Sequence, residues 1–337
     1  MINQSIDIAS RPVVRRSALR PNGLWILLGL IAIMALLPLI ASPYVLLLML
    51  PFIGYSIALL GFNLLFGSTG LLSFGHAMFL GVGAYTAAAL TAKFGILSFE
   101  LMLITAALVS GLVSVVVGAL CVRYTRIFFG MLTLAFGMLF HSFLFKFYGI
   151  TGGDQGMRVL RPLLLGMEWR GGKTGFLTGP FYYYALLLLA VLGLAMWRIT
   201  QSPFGLHLRA IRENAGKAAY VGVQIFRMRL AAFVISAVYG GIGGTILAVT
   251  TGLADPELAY WTHSGNLVFM AVLGGSGTFA GPAIGALAFV VLQDFVMSVT
   301  QYWRFVMGAV LVLLVVFMPQ GLSGTIEALV NRRHGGR

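Results

Sequence analysis

The sequence predicts an all-α, polytopic integral membrane protein with about ten transmembrane helices, some of them broken by glycines. Its residues are 59% hydrophobic and only 9% charged, whereas a soluble domain carries about 25% charged residues. Charges are absent from long runs, at residues 21–92, 174–197, 230–254, 258–293 and 305–326. A transmembrane helix needs about 20 apolar residues, and a charge at its centre costs about 2.5–3.5 kcal/mol. The runs therefore predict membrane spans.

Turn-forming residues divide these runs into individual spans. The predicted spans are residues 24–41, 44–66, 71–90, 101–122, 127–147, 181–197 and 230–251, two segments within 258–293, and 305–318. The run at 258–293 is too long for one helix, and glycines between residues 274 and 282 break it in the middle. A count of nine spans with one re-entrant segment remains an alternative.

The distribution of basic residues predicts the orientation. With the N-terminus in the cytoplasm, the inner segments hold most of the 22 Lys and Arg residues, in agreement with the positive-inside rule. A single span over residues 258–293 would instead place the C-terminal arginines outside. We therefore predict that both termini are cytoplasmic. The chain divides into a basic N-terminal tail (1–23), a membrane domain (24–324) with a cytoplasmic loop at 198–229, and a basic C-terminal tail (325–337).

Other classes of function lack their characteristic residues. The net charge of +13 is not concentrated in a basic domain with interleaved aromatic residues, so binding to nucleic acid is not predicted. The five histidines lack metal-ligand spacing. Residues 166–174 resemble a phosphate-binding loop, but five residues instead of the required four separate Gly166 from the Gly172-Lys173 pair. We predict no catalytic residue, no metal site and no cofactor.

Two glycine-rich stretches, at residues 67–70 and 274–282, interrupt the predicted spans. Irregular backbone at membrane depth is tolerated only where protein or a water-filled cavity covers it, and transporters commonly have such breaks beside their pathway. A role in the pathway and a simple bend remain alternatives. Small residues four apart, such as Ser73, Ala77 and Gly81, indicate close packing between helices.

The spans contain few groups that could couple transport to an ion gradient. His76 and His141 are the main ionisable side chains within them, and proton and sodium relays commonly use such groups. A partner that hydrolyses ATP is therefore the favoured source of energy, and loop 198–229 offers a place for it. After Ser202-Pro203 the pattern predicts a short amphipathic helix. Its apolar face is Leu206, Ala210, Ile211, Ala215, Ala218 and Ala219, and its polar face is Arg209, Arg212, Glu213 and Lys217. Such a face suits the groove of a partner protein, although a solvated surface helix remains an alternative.

Five segments together resemble the permeases of ATP-binding-cassette (ABC) importers, specifically the branched-chain amino acid type (LivM and LivH). They are R-A-I-R-E-N-A-G-K-A-A-Y-V-G-V at residues 209–223, G-S-T-G-L-L-S-F-G-H-A-M-F-L-G-V-G-A-Y-T at 67–86, T-G-G-D-Q-G at 151–156, V-L-G-G-S-G-T-F-A-G-P-A-I-G-A at 272–286 and P-Q-G-L-S-G at 319–324. These segments follow the order of the family. The histidine at position 76 and the T-G-G-D loop look more like LivM than LivH.

The resemblance implies the permease domain of a heteromeric importer in a bacterial inner (plasma) membrane, in contact with membrane lipid. The implied partners are a second homologous permease subunit, two cytoplasmic ABC ATPases and a periplasmic substrate-binding protein. The implied cargo is branched-chain or related hydrophobic amino acids, with ATP hydrolysed on the partner subunits, so that the chain itself is not an enzyme. Urea or short amides are the alternative within the family. An ion-coupled secondary transporter and a membrane-embedded enzyme are the alternatives from other classes.

The candidate site residues fall into two groups. Those for coupling to the ATPase are Arg209, Arg212, Glu213, Ala218, Ala219 and Gly222. Those for the pathway or the outer face are Ser73, His76, Thr151, Gly152, Gly153, Asp154, Gly274, Gly275 and Gly277. By the resemblance, Arg212 and Glu213 would form salt bridges with the ATPase, and Asp154 with its neighbouring glycines would shape the surface that meets the binding protein.

Overall fold

The computed structural model describes residues 22–169, 171–317 and 321–324. The helices of this part are α1 (Asn22–Leu36), α2 (Pro43–Asn63), α3 (Ala77–Ala92), α4 (Phe99–Cys121), α5 (Ile127–Lys146), α6 (Tyr148–Thr151), α7 (Lys173–Phe176), α8 (Tyr182–Gln201), α9 (Pro203–Tyr220), α10 (Ile225–Thr251), α11 (Trp261–Gly274), α12 (Gly281–Val299) and α13 (Trp303–Phe317). Apart from the start of α1, the two predicted basic tails lie outside the described residues. So does the predicted end of the last span at residue 318.

Each of the ten predicted spans overlaps one of the helices α1 to α5, α8 and α10 to α13. Within the described residues, six stretches are long and apolar enough to cross a membrane: Pro43–Thr69, Phe99–Cys121, Ile127–Lys146, Lys173–Gln201, Ile225–Thr251 and Gly281–Val299. α3 and α11 are shorter, with 16 and 14 residues, and each adjoins a predicted glycine break. The all-α, polytopic membrane fold is confirmed.

Among the six long spans, α2 and α10 are the most buried, and together with α3 they form the centre of the membrane domain. In an apolar stretch of 18 residues within each of these two long spans, 72% of the residues of the first and 83% of those of the second are buried, compared with 28% in α5. Because the hydrophobic effect does not drive apolar helices together in lipid, they pack by close backbone approach at small residues. A Cβ on Gly83 of α3 would lie 1.9 Å from the carbonyl oxygen of Gly241 in α10, and one on Gly243 would lie 2.5 Å from that of Gly54 in α2. α2, α3 and α10 therefore pack backbone against backbone.

Different parts of the chain lie at the two ends of α10. At its C-terminal end, strand β2 (Leu253–Ala254) pairs antiparallel with β1 (Met157–Arg158) of the polar segment between α5 and α8. At its N-terminal end, α10 follows α9. α10 has 27 residues, which corresponds to about 40 Å at 1.5 Å per residue. The polar segment and α9 are therefore at opposite ends of the membrane domain.

Two predicted spans differ from the observed helices. The third was predicted to begin at residue 71, but α3 begins at Ala77 and residues 70–76 are not helical. Their apolar composition suits a membrane helix, but the hydroxyls of Thr69 and of the distant Thr133 accept hydrogen bonds from the Leu71 and Phe74 amides. The sixth was predicted to begin at residue 181, whereas α7 continues through a wide turn at Leu177–Phe181 into α8.

Candidate functional site

α2 ends in a wide helical turn that leads into a left-handed glycine. Residues Leu64–Thr69 form a π-helical turn, and the Thr69 hydroxyl donates a hydrogen bond to the carbonyl oxygen of Leu65 at 2.6 Å. Gly70 follows with φ +75°, a conformation that glycine adopts without steric cost. Single π-helical turns are frequent at functional sites. The predicted break at residues 67–70 is therefore present.

Residues 71–76 form non-helical backbone that other helices cover. The Phe74 amide donates to Thr133 Oγ1 of α5 at 3.3 Å, and the Ala77 amide donates to Ser264 Oγ of α11 at 3.0 Å. A Cβ on Gly75 would lie 1.8 Å from the carbonyl oxygen of Thr133, so a larger residue would displace this segment from α5. Irregular backbone at membrane depth requires protein partners of this kind.

His76 is fully buried between helices. Its Nε2 lies 3.0 Å from Ser236 Oγ of α10 and 3.3 Å from the Ser236 carbonyl oxygen, and the rings of Phe79 and Phe233 meet it edge to face. His76 Nδ1 and the buried hydroxyl of Ser73 have no hydrogen-bond partner among the described residues. In this conformation His76 joins the start of α3 to α10. A pathway role for Ser73 and His76 stays a prediction.

The second break, between α11 and α12, lies directly against the first. Asn63 Nδ2 at the end of α2 donates to the carbonyl oxygen of Thr278 at 3.1 Å. A Cβ on Gly67 would lie 2.6 Å from the carbonyl oxygen of Ser276. The two glycine-rich stretches, which are about 200 residues apart in the sequence, are therefore in backbone contact.

Residues 321–324 pack onto the second break. Ser323 Oγ lies 2.7 Å from Thr278 Oγ1 and donates to the carbonyl oxygen of Gly274. A Cβ on Gly321 would lie 2.5 Å from the amide nitrogen of Gly275, which has φ +99°. Three of the segments on which the family resemblance rests therefore meet in space.

We refer to residues 63–70, 274–281 and 321–324 together as the glycine junction. Within it, Gly274 is packed so closely that a Cβ would lie 1.8 Å from the carbonyl oxygen of Gly281. Gly277 is different, because no described atom lies within 4 Å of the position its Cβ would take. The junction thus has a tightly packed side and an open side.

α9, in the predicted cytoplasmic loop, consists of two short helices joined at Asn214. Asn214 has φ −156° and ψ 100°, and its side-chain oxygen accepts a hydrogen bond from the Lys217 amide at 2.9 Å. This bond satisfies a free amide at the start of the second helix. α9 is followed by Gly222 with φ +86°, whose amide donates to the carbonyl oxygen of Ala219 at 2.9 Å.

The buried face of α9 differs from the predicted apolar face. Its buried residues are Gly205, Leu208, Ile211 and Ala218. Leu206 and Ala219, which belong to the predicted apolar face, are exposed in this chain, so a docking role for them stays a prediction. A Cβ on Gly205 would lie 2.2 Å from the carbonyl oxygen of Thr200, so the first half of α9 packs on the end of α8 through its glycine. The prediction assumed one straight helix, whereas the kink at Asn214 changes the register of the second half.

Four of the six candidate coupling residues, Arg212, Glu213, Ala219 and Gly222, are exposed, and both arginines bind backbone carbonyls of the membrane domain. Arg212 Nη1 donates to the carbonyl oxygen of Gly67 in the glycine junction, and Arg209 Nη2 donates to the carbonyl oxygen of Thr200 at 3.4 Å. Glu213, like Ala219 and Gly222, is exposed. The structure thus brings Arg212 onto the junction.

The candidate outer-face residues lie at the other end of α10, in the polar segment. The buried Thr151 hydroxyl donates to the carbonyl oxygens of Leu144 and Phe147 at 2.5 and 2.9 Å. Gly152 and Gly153 have φ +79° and +57°, so they make a tight reversal that presents Asp154 to solvent.

Several polar residues that hold these segments were not singled out from the sequence. They are Asn63, Thr133, Ser236, Ser264, Thr278 and Ser323. Each is a polar residue in a largely apolar stretch. Polar side chains within membrane segments usually find protein partners, so their isolation could have identified them, although not the segments that they contact.

The chain resembles known permeases over most of its length. Residues 44–315 match the family model described as branched-chain amino acid transport system / permease component. The high-affinity branched-chain amino acid transport system permease protein LivM of Salmonella typhimurium is 32% identical over 286 residues, which cover 80% of this chain and 67% of that protein. LivM of Escherichia coli is 30% identical over 299 residues, or 83% of this chain and 70% of that protein. LivH of Salmonella typhimurium is 24% identical over 81% of this chain and 92% of its own length. No solved structure matches the chain.

The matched region begins in α2 and ends in α13, so it contains both glycine breaks, α9 and the polar segment. The chain is therefore a multi-pass membrane permease that belongs to the family of branched-chain amino acid transport system permease components.

Proposed function

We propose that this chain is a permease subunit of an ATP-driven importer for branched-chain or related hydrophobic amino acids. A second, homologous permease pairs with this chain to complete the membrane pathway. Two cytoplasmic ATPases dock on the inner loops of the pair, in this chain on α9 and the residues that follow it. A periplasmic binding protein delivers the amino acid to the polar segment around Asp154. The names of the LivM and LivH relatives support the cargo.

The observation that carries this proposal is an exposed apolar tip at the end of α9. Tyr220 is 93% exposed and Val221 is 80% exposed, in a loop that the positive-inside rule places in the cytoplasm. α9 buries its own apolar residues against the rest of the chain, whereas Tyr220 and Val221 at its end remain exposed. Aromatic residues are enriched at the buried core of protein interfaces. The tip therefore offers an anchor for a cytoplasmic partner.

Docking is tested with an affinity-tagged chain expressed in its host with its own partners. Tyr220→Asp is expected to lower the amount of copurifying ATPase about tenfold, because an unpaired charge would be desolvated in the interface. Tyr124→Asp is the matched control, since Tyr124 is also exposed and lies in another predicted cytoplasmic loop. If both variants retain the ATPase equally, or if the unaltered chain copurifies none, α9 is not the docking site.

The cargo and the energy source are tested by uptake of labelled leucine and labelled urea in a strain that lacks this chain. Loss of leucine uptake, with recovery on re-expression, is the expected result. Loss of urea uptake alone would favour the alternative cargo. Leucine uptake that survives ATP depletion and stops when the proton gradient is dissipated would contradict the ATP-driven mechanism.

A further inference from the structure

Arg212 is exposed, and its side chain lies against the end of α2. Its guanidinium donates a hydrogen bond to the carbonyl oxygen of Gly67. Its aliphatic part passes over Gly70, where a Cβ would lie 3.2 Å from Arg212 Cγ. The first half of α9, which carries Arg212, is therefore attached to the end of α2 at the first glycine break.

The carbonyl that Arg212 binds belongs to the most connected part of the glycine junction. The Gly67 backbone is in close contact with that of Ser276, and the neighbouring Asn63 binds the carbonyl oxygen of Thr278. Ser323 in turn binds Thr278. A displacement of α9 that carries Arg212 with it would consequently act on both breaks.

The carbonyl of Gly67 is a suitable acceptor because it lies in a π-helical turn. Carbonyls in the last turn of a helix have no intrahelical donor, and a guanidinium forms a charge-assisted bond to such an oxygen, which is stronger than a bond between neutral groups. The positive charge also interacts favourably with the negative end of the helix dipole of α2. The contact is therefore a specific link and not a chance approach of a surface side chain.

We propose that Arg212 is a positioning residue that transmits movement of α9 to the two glycine breaks, and that it acts within this chain instead of forming a salt bridge with the ATPase. This inference rests on the proposed function, in which α9 is the site where the ATPases dock. It assigns different tasks to neighbouring residues: the tip at Tyr220 and Val221 engages the partner, and Arg212 connects α9 to the broken helices.

The test compares Arg212→Ala with Arg227→Ala in the purified complex, reconstituted in vesicles with ATP and labelled leucine. Arg227 is an exposed arginine of the same predicted loop, so its replacement removes the same charge. Arg212→Ala is expected to retain its ATPases but to transport about tenfold less leucine per ATP hydrolysed, the factor expected for one lost charge-assisted hydrogen bond. Arg212→Lys, which keeps one donor, should recover part of this ratio.

A second measurement reports on the junction itself. Gly277 has open space around it, so Gly277→Cys provides a site for labelling with a membrane-impermeant maleimide. The native Cys121 is buried and serves as the background when Gly277 is unchanged. In the otherwise unaltered complex the labelling rate should change when ATP and vanadate trap the ATPases, and adding Arg212→Ala should abolish that change.

The outcomes of these experiments distinguish a failure of the proposed function from a failure of the inference about Arg212. If the unaltered chain binds no ATPase, the proposed function fails. If Arg212→Ala loses the ATPases, Arg212 acts across the interface and the inference is wrong. If it keeps them and matches Arg227→Ala in both the transport ratio and the Gly277→Cys labelling, the link to the breaks has no role in coupling.

Discussion

Replacing Gly244 with alanine is expected to force α3 away from α10. Gly244 is buried in α10, and a Cβ at this position would lie 2.0 Å from the carbonyl oxygen of Leu80 in α3. Non-bonded heavy atoms prefer a separation of about 3.5 Å, so the two helices would have to move apart by about 1.5 Å. The neighbouring contact between Gly83 and Gly241 would open with them.

The expected loss in the free energy of unfolding depends on which atoms would collide. Overpacking a well-packed interior costs about 1–3 kcal/mol, and the upper end applies because the obstructing oxygen belongs to the backbone and cannot rotate away. Alanine in a helix recovers about 1 kcal/mol relative to glycine. The net loss should be about 2 kcal/mol in the free energy of unfolding. Gly29→Ala is the matched control, because no described atom lies within 4 Å of its added Cβ.

The measurement is unfolding of the purified chain in mixed micelles as the fraction of denaturing detergent is raised. Gly29→Ala should unfold at the same or a slightly higher fraction than the unaltered chain, and Gly244→Ala at a clearly lower one. If Gly244→Ala were as stable as Gly29→Ala, the close backbone contact between α3 and α10 would not be what stabilises the centre of the domain.

Two further substitutions test the side chains that hold the non-helical segment. Ser236→Ala should lower the free energy of unfolding by about 0.5–1 kcal/mol, the range typical of hydrogen bonds between membrane helices, because His76 Nε2 then has only the 3.3 Å contact with the backbone carbonyl. Thr133→Val keeps the shape of the side chain but removes the acceptor of the Phe74 amide. An unpaired buried donor costs about 1–3 kcal/mol, and the Phe74 amide should also exchange its hydrogen faster.

Both results are compared with Ser298→Ala, since Ser298 is exposed and its hydroxyl bonds only within its own helix. A Ser236→Ala shift no larger than that of Ser298→Ala would show that His76 does not depend on this hydroxyl. Unchanged exchange at Phe74 in Thr133→Val would mean that the amide has another acceptor.

The fold class and the positions of the helices could be predicted because composition and charge are local properties. A run without charges indicates a span wherever its neighbours lie, and the glycines at 67–70 and 274–282 indicate breaks in the same way. The contact between these breaks could not be predicted, because nothing in the sequence around Asn63 or Thr278 indicates that the two residues contact each other. Only the folded chain brings them together.

Two departures from regular helices near the candidate site have related physical causes. Residues 71–76 were predicted to be helical because their apolar composition is that of a membrane helix, and the hydroxyls that accept hydrogen bonds from the Phe74 and Ala77 amides belong to α5 and α11. The apolar face of α9 was predicted for one continuous helix, and the non-helical backbone of Asn214 interrupts that helix. In both cases a side chain provides a backbone hydrogen bond that the pattern of apolar residues does not reveal.

Three hydroxyls around the first break are already engaged with the protein's own backbone, whereas that of Ser73 has no partner among the described residues. Thr69 binds the carbonyl oxygen of Leu65, Thr133 binds the Phe74 amide, and Ser264 binds the Ala77 amide. This arrangement is what irregular backbone in a membrane requires, because an unpaired amide in an apolar medium costs several kcal/mol. These hydroxyls are therefore structural in this conformation, and a polar cargo that needed them would have to displace the segment that they hold. Movement of the backbone segments that they hold is accordingly a precondition for any of these three hydroxyls to contact the cargo.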